Sequence, residues 1–348
     1  MLGVRHTRGK TGWWTQEDHE FRVPVHINDL GLRDVEHAYA KESQQTRILL
    51  LGDSFIEALQ VRLEQSLGRQ LAARLGPASE VVSAGVSGYG TASEFMFLEH
   101  EGWRYDPDLV MLAFYPGNDV KNNSPTLEDA LRPRYESDGT LLRVEGSDGD
   151  TASASHARKG WWERSQAFRY TRQLVLLHPG VAGPLHTLGL LKIEGPRRAP
   201  ERNGVPIDYE VFRPEVDPEW QDAWEHTFRL LGDMSESVRK RGKRFAVIIV
   251  PSRYQIYPVR WAEALAAHPA MQKEVWDVDM PVRRMVAWCE TRGIACVDLT
   301  STFRLAAAEA TPLYFHYDGH WTAAGHELAA RAVAAFLRAQ NLVPAQSQ

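Results

Sequence analysis

Five short apolar runs, separated by stretches of helical period, constrain this chain more than any other feature. They are RILLLG (Arg47 to Gly52), EVVSAG (Glu80 to Gly85), DLVMLAF (Asp108 to Phe114), FAVIIVP (Phe245 to Pro251) and IACVDL (Ile294 to Leu299). Short runs rich in branched residues suit strands buried on both faces. Helices are expected at Glu64 to Leu75, Thr91 to Trp103, Glu219 to Arg241, Val282 to Arg292 and Ala323 to Ala339. The alternation predicts an α/β fold, a parallel sheet covered by helices on both faces. Right-handed crossovers then bring the loops after the strands to one sheet edge, where open α/β sheets bind ligands. Ser54, the segment Gly85 to Gly90, and Gly117 with Asn118 all follow strand runs and are expected to meet there.

Two regions break the alternation. Residues 1–42 are expected to form an extension packed on a core domain spanning 43–340, with a short tail at 341–348. Within the extension, Phe21, Val23, Val25 and Ile27 alternate as a strand entering a turn. An insertion at about 121–217 interrupts the core. In it PRYESDGTLLRV predicts a hairpin at Asp138-Gly139, EGSDGDTASAS a mobile loop, and SQAFRYTRQLVLL a short helix. A lid, a substrate wall and a surface elaboration are all open readings of such an insertion.

Composition excludes several classes. With 348 residues, 43% hydrophobic and 24% charged, the chain is neither a disordered, a coiled-coil nor a collagen-like sequence. A net charge of -5 offers no basic footprint, so no nucleic-acid partner is expected. Cys289 and Cys296 are too few for a disulfide framework and lie at no familiar metal spacing. No run has the length of a membrane span, and MLGVRHTRGKTGWW has no apolar core of the signal-peptide kind.

The serine after the first core strand raises the chemical question. Ser54 could cap the following helix or act as a nucleophile. A serine nucleophile needs a base, a group to orient that base, and donors for the developing oxyanion. FHYDGHWTAAGHELAA, before the last helix, contains an acid and a histidine, Asp318 and His320. The blocks GDS (Gly52 to Ser54), GVSGYG (Gly85 to Gly90), PGND (Pro116 to Asp119) and DGH (Asp318 to His320), in this order and at these places relative to strands and helices, resemble the SGNH, or GDSL-type, serine hydrolases. The resemblance implies a three-layer flavodoxin-like α/β fold with a five-stranded parallel sheet of order 2-1-3-4-5, and Ser54 as nucleophile, His320 as general base and Asp318 as its orienting acid. It implies an oxyanion hole made by the Ser54 and Gly88 N–H groups and the Asn118 side-chain amide, with no metal or organic cofactor. The chemistry agrees, since glycine lets an oxygen approach its N–H closely and an asparagine amide donates without bringing charge.

The spacing of acid and histidine departs from the common family pattern, because only Gly319 intervenes where two residues are usual. Such spacing occurs in some branches, including polysaccharide acetyltransferase-like members. HINDLGLRD (His26 to Asp34) and DPEWQDAWEHTFRLL (Asp217 to Leu231) resemble bacterial envelope or exopolysaccharide-associated members, which implies an envelope or secreted location. The implied activity is hydrolysis of short acyl esters, an acetyl group on carbohydrate above all, through an acyl-serine. The alternatives are a polysaccharide O-acyltransferase using the same site, and a non-catalytic carbohydrate-binding or assembly protein on an inactive fold.

The remaining residues have plainer roles. Asp53 reads as a residue that hydrogen-bonds the turn. The glycines of GVSGYG do not have the dinucleotide spacing, and Asn118 by itself would initiate a turn. His316, Asp318 and His320 alternate as metal ligands could, but a metal would leave the serine, glycine and asparagine blocks unexplained. His326 reads as a helix-face or core histidine, and Trp13, Trp14, Trp161 and Trp162 as packing residues.

Overall fold

The structure is a computed structural model and describes residues 5–16, 20–42, 45–124, 126–127, 134–135, 141–142, 201–309 and 311–344. The chain divides into two compact units. The larger comprises Leu2–Arg143 and Arg202–Gln348 and is the one considered below; in the smaller, Met1 with Val144–Glu201, only Glu201 is among the described residues.

An antiparallel ribbon opens the larger unit, with β1 (Thr11–Thr15) paired to β2 (Arg22–His26) in the register Thr11 to His26. The core strands are β3 (Thr46–Gly52), β4 (Ser79–Gly85), β5 (Leu109–Phe114), β6 (Arg244–Ile249) and β7 (Ala295–Asp298). They form one sheet in the spatial order β7-β6-β5-β3-β4, and every pairing is parallel. Numbered along the chain, this is the 2-1-3-4-5 order of the sequence reading.

Period-2 geometry sends alternate strand residues to opposite faces. Leu49, Leu51, Val110, Leu112, Val247 and Ile249 join one buried cluster, while Ile48, Leu50, Met111, Ala113, Ala246 and Ile248 join the other. Helices α3 (Thr91–His100), α5 (Pro218–Lys240) and α7 (Met280–Arg292) close the first face. Helices α2 (Leu67–Leu75), α8 (Thr300–Ala306) and α9 (Ala323–Ala339) close the second. Between strands and these helices lie α1 (Ser54–Glu57), α4 (Pro116–Asn122) and α6 (Pro258–Ala267). Each buried aliphatic side chain contributes about 1.5–3 kcal/mol of burial, so a sheet covered on both faces is a rigid base for its loops.

Local chemistry sets the helix ends. Asp217 caps α5 by accepting from the Trp220 N–H, with Pro218 in the first turn, and Thr322 caps α9 by accepting from Gly325. The helix expected at Glu64 to Leu75 is broken at Ser66, whose extended backbone separates a 3-10 turn, Leu63–Gln65, from α2. The one expected at Thr91 to Trp103 ends at His100 and passes into a 3-10 turn, Gly102–Tyr105.

The segment His26 to Asp34 makes specific contacts with the core. Buried Arg33 donates to the carbonyls of Glu57 (2.7 Å) and Val61 (2.5 Å), just beyond the turn that carries Ser54, and Asp34 accepts from the Ser83 N–H on β4 at 2.8 Å. Trp13 and Trp14 are not packing residues: they are 61% and 46% exposed on the ribbon. Strand backbones pair at Arg134–Tyr135 and Leu141–Leu142 on either side of the expected hairpin turn. The turn itself, the loop and helix expected after it, Trp161 and Trp162 lie outside the described residues.

Candidate active site

Two turns at the C-terminal edge of the sheet carry the reactive groups. β3 ends at Gly52, and Asp53, fully buried, caps α1 by accepting from the Phe55 N–H at 2.8 Å. The cap is thus Asp53, which leaves the Ser54 hydroxyl for another partner. That partner is His320, whose Nε2 lies 2.7 Å from Ser54 Oγ. On the other side of the ring, His320 Nδ1 is 2.6 Å from Asp318 Oδ1. A carboxylate at Nδ1 holds the proton there, so Nε2 is the lone-pair nitrogen facing the serine O–H.

The one-residue spacing of acid and histidine works because Gly319 has φ +85°, a left-handed conformation that suits glycine. A Cβ there would stand 3.2 Å from the Arg253 guanidinium. The turn is closed by Phe315 N–H donating to the His320 carbonyl at 2.8 Å and by an antiparallel bridge between Tyr314 and Trp321. Phe55 forms the floor, its ring centroid 5.0 Å from His320, 5.0 Å from Trp321 and 4.9 Å from Tyr115. Burial alone would raise Asp318, but hydrogen bonds from the His320 ring and backbone and from Gln60, together with the His320 charge, hold it below the usual carboxylate range.

The other expected residues arrive from β4 and β5. Gly85 ends β4 hydrogen-bonded in register with Gly52, and a Cβ on it would lie 2.2 Å from the Glu57 backbone N. Only glycine lets α1 pass so close to the strand end. Buried Glu57 then accepts from both the backbone N–H (2.8 Å) and the hydroxyl of Ser87, tying the loop that carries Gly88 to the end of α1. Neither the Ser54 nor the Gly88 N–H has a hydrogen-bond partner among the described residues. Asn118 donates one amide hydrogen to Asp53 Oδ2 at 2.8 Å. A carboxylate acceptor fixes which way the amide points and leaves its second N–H available.

With the fold and the four blocks at one sheet edge, a family comparison bears directly on residues 212–348, which match the family described as ALGX: SGNH hydrolase-like domain, acetyltransferase AlgX. The matched residues are the C-terminal part of the chain, less than half of its length. They contain the Asp318–His320 block and leave the serine, glycine and asparagine blocks outside the match. No curated protein matches the chain. Solved structures to which it is similar include a GDSL-like lipase from Bacteroides thetaiotaomicron, at 11% identity over 87% of this chain and 93% of that one, with a TM-score of 0.40. A lipase/acylhydrolase from Enterococcus faecalis shows 14% identity over 87% and 100%, with a TM-score of 0.43. A carbohydrate acetylesterase from Sinorhizobium meliloti shows 14% identity over 85% and 100%, with a TM-score of 0.36.

Beneath the Ser54–His320 pair lie three fully buried carboxyl groups, Asp53, Glu94 and Asp119. Burial, then the charges of Asp119 and Asp53, push Glu94 well above the usual range, and neither of its oxygens has a hydrogen-bond partner among the described residues. Burial and the Asp53 charge also push Asp119 far up, against one hydrogen bond from the Tyr115 N–H. Asp53 is raised by burial too, but the Phe55 N–H, the Asn118 amide and the His320 charge all favour its ionised form. Protons therefore go to Glu94 and Asp119 first, and the negative charge stays on Asp53, where Asn118 needs an acceptor.

His316 stands apart from this group, since its Nδ1 meets Arg260. His326 is buried against Trp321 (5.4 Å) and held down to about 3 by burial, so its imidazole is neutral. Among the described residues no group of three or more His, Cys, Asp or Glu is arranged to hold a metal ion. The sequence reading missed Glu57, Glu94 and the acceptor role of Asp53 toward Asn118. These residues are chemically ordinary and lie at no telling spacing; Asp119 alone had a local cue, a carboxylate reaching back to the N-cap N–H of α4.

Proposed function

We propose that the chain cleaves short acyl esters, acetyl on carbohydrate in particular, through an acyl-Ser54 intermediate. The observation that carries this reading is the continuous Asp318–His320–Ser54 relay, with contacts of 2.6 and 2.7 Å. His320 Nε2 takes the Ser54 hydroxyl proton as Oγ attacks the ester carbonyl. The oxyanion forms opposite the Ser54 and Gly88 N–H groups and the free Asn118 N–H, and Asp318 stabilises the imidazolium. Collapse breaks the ester C–O bond, His320 gives its proton to the departing alcohol, and the acyl group stays on Ser54. A water or an acceptor hydroxyl then repeats the sequence with His320 again as base.

With water as acceptor the protein is an esterase; with a sugar hydroxyl it is an O-acyltransferase. The match to a family described as an acetyltransferase favours transfer as the second reading. A fluorophosphonate probe followed by mass spectrometry tests the shared step, an adduct on Ser54 being expected and absent from Ser54→Ala. No adduct on folded wild type would favour a non-catalytic carbohydrate-binding role. Product analysis on acetylated glycans, with and without acceptor sugar, separates the two acyl fates.

A further inference from the structure

The turn bearing Asp318 and His320 is held from outside the sheet by a residue nearly 300 positions away. Glu20, just before β2, accepts from three consecutive backbone N–H groups: His316 at 2.5 Å, Tyr317 at 3.0 Å and Asp318 at 2.9 Å. With its amide nitrogen turned to Glu20 Oε2 (2.9 Å), Gln16 also accepts from the Asp318 N–H at 3.3 Å. Next to Glu20, the Phe21 ring meets Phe315 edge-on at 5.1 Å. Opposite, Arg253 donates to the His316 carbonyl at 2.9 Å. The turn is therefore gripped through its N–H groups by an anion and through a carbonyl by a cation.

We infer that Glu20 is a positioning residue for the Asp318–His320 pair: the N-terminal segment supplies the clamp that keeps the imidazole aimed at Ser54. Three N–H groups donating to a single carboxylate are charge-assisted and directional, stronger than neutral hydrogen bonds. Within the turn, Asp318 accepts from the His320 N–H at 3.1 Å, a contact that ties the pair to each other and not to the sheet. Gly319 is the turn's most pliable residue, and the Phe315–His320 hydrogen bond closes the turn without fixing its direction. A tilt of about 1 Å in the base is enough to cost on the order of a hundredfold in rate.

This inference rests on the acyl-serine reading, and its test includes a measurement that needs no reaction. The charged groups facing His320 are Asp318, Asp53 and Arg253 beyond Gly319, with neutral His326 across Trp321. If the clamp goes, Asp318 loses its place and the imidazolium loses its partner. In Glu20→Ala the Nδ1–H proton of His320, hydrogen-bonded to Asp318 at 2.6 Å and followed by NMR, should then lose its downfield position relative to wild type. The kcat on a short nitrophenyl ester should fall about ten- to hundredfold with KM within about twofold. Glu20→Asp, which keeps the carboxylate, should recover part of both. An unchanged His320 Nδ1–H resonance in folded Glu20→Ala overturns the inference, including where that variant only melts earlier. Wild type that neither labels at Ser54 nor releases acid would sink the acyl-serine reading, while the comparison of that resonance still decides the role of Glu20.

Discussion

Replacing Glu94 by glutamine tests the electrostatics under the site. Glu94 sits on the first turn of α3, fully buried, with Asp119 and Asp53 as charged neighbours and no hydrogen-bond partner for its oxygens among the described residues. Its folded form holds a proton that the unfolded chain releases near the ordinary glutamate value of 4.5. A carboxyl raised in this way contributes stability that is fully present below that value and is lost as pH rises toward its folded pKa. The loss is about 1.4 kcal/mol per pH unit, which between 4.5 and 7 sets a ceiling of about 3.4 kcal/mol. Glu94→Gln keeps the shape of the protonated side chain and removes its titration. Asp119 still titrates, so the slope is reduced and not erased. Any cost of burying the new amide is independent of pH, so the slope is the discriminating quantity. Urea unfolding of wild type and variant at pH 5, 6 and 7 measures it. The wild type should lose stability faster with rising pH, the two curves diverging by up to the ceiling. Parallel curves would refute the claim that Glu94 is carried as the neutral acid.

Other consequences can be checked with the same protein. Asn118→Ala removes one oxyanion donor and should lower kcat on the order of a hundredfold or more, with the fold intact by circular dichroism. Asp318→Asn should lower kcat on the order of a thousandfold or more by releasing the His320 tautomer. Because Asp318 is held below the usual range, its contribution to stability is present above the ordinary aspartate value of 3.8 and lost below it, so unfolding curves of wild type and Asp318→Asn should differ at pH 7 and converge in acid. Gly85→Ala forces a Cβ to within 2.2 Å of the Glu57 N and 2.6 Å of the Ile56 carbonyl carbon. Since backbone cannot swing aside, it should destabilise by about 1–3 kcal/mol in a urea melt and displace α1 with Ser54.

The fold was legible because its signal is local and repeated. Ile48 to Leu51, Val110 to Phe114 and Ala246 to Val250 are apolar at every position, which only a sheet covered on both faces satisfies, and the intervening helices force parallel strands. Boundaries were less legible where one side chain or neighbour decides them. Ser66 donates its hydroxyl to the Leu63 carbonyl and splits a periodic stretch that composition alone leaves continuous. The ribbon partner of β2 was hidden for another reason: β1 is exposed at all five residues, so it has no alternation to betray a strand.

At the site, what the sequence revealed and what it concealed divide along one physical line. In the proposed reaction, groups that touch the reacting atoms must be particular residue types, and Ser54, Gly88, Asn118 and His320 stand out in the sequence for that reason. Groups that hold those residues in place need only the right charge at the right point, and any stretch of chain can deliver it. Glu20 reaches Asp318 from the far end of the sequence, Glu57 reaches Ser87, and Asp53 turns the Asn118 amide. Each is a buried or half-buried carboxylate accepting from N–H groups, a pattern visible only once the sheet has brought the loops together. The spacing Asp318-Gly319-His320 joins the two kinds of information. Its short reach is workable because Gly319 takes a positive φ and Arg253 fills the space a side chain would need. Reactive geometry in this chain is therefore a property of the turn together with its clamps, and a substitution at a clamp should alter the reaction through His320 before it alters the fold.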